Sequence, residues 1–114
     1  MIYHITHQDA WAHAQKRNVY QPVGFSEDGF IHCSDLHQVA KVANSFYKGI
    51  DGLIVLAIDP ELTGAKLVYE NTDGGTELFP HLYGLLPTDA VLSTFALEVD
   101  GSGQFCLPMR FREV

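Results

Sequence analysis

"GLIVLAID", Gly52 to Asp59, is a nearly unbroken apolar run with a glycine before it and an aspartate after it. A strand that shows one face to water alternates apolar with polar residues. This one does not, so it reads as a strand buried on both faces, and the rest of the chain must cover each side. Upstream, Leu36, Val39, Ala40, Ala43, Phe46 and Tyr47 recur at helical spacing. Ser34 or Asp35 is placed to cap that helix, Lys48 suits its last turn, and Gly49 is a natural stop. Before it, "GFIHCS" (29–34) reads as a strand and "NVYQPVGFSEDG" (18–29) as a loop punctuated by Pro22, Gly24 and Gly29. "QDAWAHAQKR" (8–17) reads as a helix behind a capping-box-like Thr6/Asp9 pair, and "MIYHI" (1–5) as a short β run.

Downstream of the buried strand, "PELTG" (60–64) turns the chain, "KLVYE" (66–70) is a strand, and "NTDGG" (71–75) turns again. "ELFPHLYG" (77–84) is extended, because Pro80 forces Phe79 out of helical geometry. Proline donates no ladder hydrogen bond, which places this run at an edge or in a pocket-lining loop. "AVLSTFALEV" (90–99) reads as one long strand, "DGSG" as a turn, and "QFCL" (104–107) as its hairpin partner. Two helices early and many strands late give an α+β domain: one compact unit over 1–114, its two helices in the N-terminal half packed on mixed or antiparallel sheet.

With 114 residues, 46% of them apolar, the chain can bury a core without disulfides or metal. Seven basic against fourteen acidic residues leave a net charge of -7, which opposes nucleic-acid binding, and Arg110 and Arg112 are too few to reverse it. Two cysteines, Cys33 and Cys106, form no disulfide framework. No stretch resembles a secretory signal or approaches the roughly 20 apolar residues of a membrane span, so the expectation is a cytoplasmic protein without membrane contact.

Chemistry concentrates in two places. In "GFIHCS", strand alternation puts Phe30, His32 and Ser34 on one face and Ile31 and Cys33 on the other. His32 and Cys33 therefore do not serve as base and nucleophile to each other, and Cys33 reads as a small buried hydrophobe. His32 and Ser34 leave the sheet just before a helix N-terminus, where anionic groups are attracted; equally, Ser34 caps the helix and His32 bonds a neighbouring carbonyl. In "ELFPHLYG", Glu77, Phe79, His81 and Tyr83 share a stripe suited to stacking a planar ligand and holding its polar edge, or else form the wet side of an edge strand. Tyr47 ends the following helix, where it either leans over the His32 strand end or, the commoner use, packs in the core. Glu70 ends "KLVYE" toward the same space. His4 lies on the first strand with Tyr3 and Ile5, among neighbours half of which look buried. Six histidines raise the question of a metal, but no spacing typical of a metal site occurs, so none is expected; a site of His4, His32 and His81 would have to be assembled by the fold. P-loop, GxGxxG and nucleophile-elbow patterns are absent.

"YHIT", "GFIHCS", "QVAKVANSFY", "LIVLAID" and "ELFPHLYG" followed by "DAV" together resemble, in order and over nearly the whole chain, the small bacterial family known as domain of unknown function 952. That family is similar in fold to the ADP-ribosyltransferase superfamily. The resemblance implies a cleft for NAD or a related nucleotide, with transfer or hydrolysis of ADP-ribose. "FIHCS" looks like the His-Gly-Ser strand of poly(ADP-ribose) polymerases, with His32 and Ser34 as ligand-holding residues and Cys33 in place of the glycine. Tyr47 matches the tyrosine that stacks on nicotinamide. Glu77, with Glu70 behind it, is the nearest match to the catalytic glutamate. His4, Phe79, His81 and Tyr83 complete the ligand-binding set. The alternative is a non-catalytic module that uses the same cleft for a small metabolite or a protein partner.

Overall fold

The computed structural model describes residues 1–111; Arg112 lies outside the described residues. In chain order the elements are β1 (Ile2–His7), α1 (Gln8–Arg17), β2 (Val19–Tyr20), α2 (Phe25–Asp28), β3 (Ile31–His32), α3 (Leu36–Phe46) and β4 (Leu53–Ile58). β5 (Lys66–Glu70), β6 (Phe79–Tyr83), β7 (Leu86–Pro87), β8 (Val91–Ala96), β9 (Glu98–Val99) and β10 (Phe105–Cys106) follow. The fold is α+β, and every strand pairing among the described residues is antiparallel. No helix among them is long and apolar enough to cross a membrane.

The apolar run at 53–58 is β4, and it is the middle strand of the sheet β1-β4-β8. Its two faces enter two separate cores. Leu53 and Val55 pack with Val39 and Ala43 of α3, Phe95 and Phe105. Leu56 and Ile58 pack with Trp11 and Ala14 of α1 and with Ile31, Cys33, Leu82 and Leu86. Leu56 and Val55 are fully buried, and each such side chain contributes about 1.5–3 kcal/mol by leaving water. The run starts sharply because Gly52 has φ +77, and a Cβ there would lie 2.6 Å from His7 Nε2. Only glycine fits that approach at that φ.

A second sheet, β3-β6-β5, packs through Ile31 and Leu82 onto the α1 side of β4. Its middle strand holds Pro80, so the expectation of an edge position is corrected. Cys33 N–H donates to the Pro80 carbonyl at 3.0 Å. The proline nitrogen faces the same way, toward Cys33 one step past the His32–His81 pair. Pro80 therefore forgoes only the return bond to the Cys33 carbonyl, at the end of the two-residue β3 ladder.

Other differences are local. A third, four-residue helix, α2, lies in the expected loop. It is too short for an apolar period, and its bracketing Gly24 and Gly29 resemble loop glycines. α1 is capped by His7, whose Nδ1 accepts Asp9 N–H at 3.1 Å, because β1 extends to that residue and takes Thr6 into the sheet. α3 ends at Phe46, leaving Lys48 outside it. The long strand breaks at Leu97, so β9 pairs with β10 as a separate hairpin.

Candidate functional site

A cavity of about 930 Å³ opens between α1, the end of β3, the C-terminal end of α3 and the 71–73 loop. That volume lies within the range of small-molecule sites. His4, His32, Ser34, Tyr47, Phe79 and His81 all line it, although they come from four separate stretches of the chain. Glu70, Glu77 and Tyr83 do not.

The cavity's best-organised wall is built by β3, β6 and the preceding Phe30, with Glu70 of β5 behind it. His32 and His81 face each other in register across the β3–β6 pair. Their rings meet edge to face at 5.3 Å between centroids. Phe30 stacks on His81 at 4.2 Å and 16°, and also touches His32 and Tyr83. Each imidazole is held by a carboxylate: His81 Nδ1 lies 2.9 Å from Glu70 Oε1, and His32 Nε2 lies 3.1 Å from Asp28 Oδ2. The Tyr83 hydroxyl donates to the same Glu70 oxygen. That bond, followed by the one from His81, lowers the Glu70 pKa and keeps it a carboxylate. A carboxylate only accepts, so the neutral His81 ring carries its proton on Nδ1 and presents Nε2 as a lone-pair nitrogen.

His4 is placed differently. It is buried, with Nδ1 donating to the His32 carbonyl at 2.6 Å and Nε2 2.8 Å from the Tyr20 hydroxyl. Tyr20 in turn bonds Thr6 Oγ1 at 2.9 Å. Burial holds the His4 pKa down at about 4, so the ring is neutral, and both its nitrogens are engaged inside the protein. It can ligate nothing without breaking a bond. Among the described residues no three histidine, cysteine or carboxylate side chains group as a metal site would require.

Glu77 departs from its expected stripe. The strand begins only at Phe79, and the residues before it are tied to α3. Gln38 donates to Glu77 Oε2 at 3.0 Å and to the Leu78 carbonyl at 2.9 Å, while Lys41 forms an ion pair with Oε1. The Lys41 bond, above all, lowers the Glu77 pKa. Asp35, not Ser34, caps α3: its N–H donates to Gln38 Oε1 at 2.9 Å. The Ser34 hydroxyl is thereby left to the cavity. Cys33 is in the core, and burial pushes its thiol up to about 12, where it stays protonated and unreactive. Tyr47 is half-buried, and burial raises its pKa.

Asp28, Tyr20 and Arg17 were not among the expected site residues. Asp28 stands four residues before His32, but it ends α2 while His32 lies in β3, so the pair meets only because the chain turns at Gly29. Arg17 lines the cavity without an ion pair among the described residues. Its signal was the series Ala10, His13, Ala14, Arg17, one face of α1.

Three comparisons place the chain among known proteins. The crystal structure of protein CC0527 from Caulobacter crescentus is 31% identical in sequence, with a TM-score of 0.79 and 92% of each chain covered. The solution structure of the same protein gives 32% identity and a TM-score of 0.77, covering 90% of this chain and 89% of that one. No curated protein matches. The family model described as "Protein of unknown function (DUF952)" matches residues 5–94, and the chain belongs to that family.

Proposed function

We propose that the cavity binds a nucleotide such as NAD or ADP-ribose, in an ADP-ribosyltransferase-like fold. The observation that carries this reading is the convergence of His32, Ser34, Tyr47, Phe79 and His81 on one cavity from distant parts of the chain. Aromatic walls at Phe79 and Tyr47 suit a planar base. His32 and Ser34 suit ribose hydroxyls, and Arg17, without an ion pair among the described residues, suits a phosphate. Amide and histidine-ring NMR spectra recorded while adding NAD, ADP-ribose and nicotinamide separately test it. Shifts confined to the cavity residues support the proposal; no shift with any of the three at millimolar concentration defeats it.

A second reading, a non-catalytic module in the same cavity, is favoured by one observation: neither Glu70 nor Glu77 lines it. Under that reading Glu77→Gln leaves ligand affinity unchanged and no turnover is found. Release of nicotinamide from NAD excludes it.

A further inference from the structure

The one carboxylate-backed imidazole that is both sheltered and open to the cavity is His81. Its side chain is 4% exposed, yet Nε2 has no hydrogen-bond partner among the described residues and is not sealed off as a buried orphan. The small exposed part of the ring therefore includes Nε2, and the ring lines the cavity. Phe30 fixes the ring plane by stacking, and Glu70 fixes its rotation and tautomer. Glu70 is itself set by Tyr83 and stands behind the ring rather than in the cavity wall. The other charged or titratable groups facing His81 are His32 and, through it, Asp28. A base nitrogen aimed into a cleft with an ionised carboxylate at its back is the arrangement that takes a proton from an oxygen nucleophile.

We propose that His81 is a general base for an oxygen acceptor, water or a hydroxyl, with Glu70 and Tyr83 as its positioning residues. The proposal rests on the nucleotide reading above and names the chemistry of that site. With NAD as substrate, His81 Nε2 takes a proton from water as the water oxygen bonds to the ribosyl C1′ carbon. The C1′–N bond breaks, and its electron pair leaves with nicotinamide, whose ring nitrogen loses its positive charge. The products are ADP-ribose and nicotinamide, and the imidazolium returns its proton to solvent. No oxidant or reductant is needed. In this assignment Glu70 acts through the histidine, and Glu77, held by Lys41 and Gln38, takes no part.

The experiment pairs calorimetric binding of ADP-ribose with chromatographic detection of nicotinamide released from NAD, using the full chain. The proteins are wild type, His81→Ala, His81→Asn and Glu70→Gln, each checked for native amide dispersion. His81→Asn keeps the test sound where the alanine variant fails to fold. Expected results are measurable ADP-ribose binding in all variants and, at saturating NAD, loss of kcat by about 10²-fold or more in both His81 variants, a loss larger than any change in their affinity. Glu70→Gln is expected to lower kcat without raising KM. Imidazole added to the buffer restores part of the rate of His81→Ala and none of the rate of Glu70→Gln, an outcome that a merely structural role does not produce. Turnover that survives both His81 substitutions overturns the base. Binding without any wild-type turnover also overturns it and leaves the nucleotide site standing. Absence of ADP-ribose binding by wild type overturns both.

Discussion

Two buried histidines, His4 and His81, lie in the same fold and line the same cavity, yet they are wired in opposite ways. His4 has a carbonyl on one nitrogen and a phenol on the other, so its whole hydrogen-bonding capacity is internal. His81 has a carboxylate on one nitrogen and nothing from the described residues on the other. The first ties β1 to the end of β3 and to β2; the second leaves a polar atom facing space a ligand can occupy. Burial alone therefore does not identify a working histidine. What distinguishes the two is how many ring nitrogens the protein itself uses.

The largest effect should come from removing the His4 ring. His4→Ala leaves a cavity and strips the His32 carbonyl and Tyr20 hydroxyl of a buried partner, which costs about 3–4 kcal/mol of stability, read from urea unfolding. His81→Ala should cost less, about 2 kcal/mol, because Glu70 and Tyr83 are close enough to solvent to bond water instead. Equal losses would erase the contrast.

The pH dependence sharpens it. His4 titrates near 4 when folded, against an ordinary value near 6.5 when unfolded. Between those values the unfolded chain binds more protons, so stability is full above pH 6.5 and falls as the pH drops toward 4. The expected loss from this group between pH 7.5 and pH 5 is about 2 kcal/mol, obtained as the difference between wild type and His4→Asn. Parallel pH profiles for the two proteins would show that burial does not lower the His4 pKa.

A smaller effect is expected at the tyrosines. Tyr20→Phe removes a buried hydroxyl shared by His4 and Thr6 and should cost about 1–2 kcal/mol. Tyr83→Phe, at a site 39% exposed, should leave the unfolding midpoint where it was. The smallest effect is expected at Glu77→Gln. It breaks an exposed ion pair with Lys41, so neither stability nor ligand affinity should change measurably. A large loss of turnover in that variant would return Glu77 to the reaction.

Much of the frame was legible from apolar period alone. The run at 53–58 had to be a two-faced strand, and it is the central strand between two cores. Alternation also separated Cys33 from His32 correctly, since parity along a strand is a local property. Local rules misplaced Pro80, because whether a missing N–H matters depends on where the neighbouring strand stops. They gave no sign of α2, whose four residues are too few to show a period.

For the site, the sequence determined which residue types were at hand: His32, Ser34, His81, Tyr83 and two nearby glutamates. Only the tertiary structure decided their partners. Glu70 reaches His81 because Val68 and His81 are opposed in the β5–β6 register, which brings Glu70, two residues on, to the same side. Glu77 goes to Lys41 because α3 packs beside the chain just before β6. A side chain's residue type is fixed by one position in the chain. Its protonation, tautomer and free lone pairs depend on atoms far along the chain, 39 positions away for Glu77 and Gln38, and those only the fold brings near.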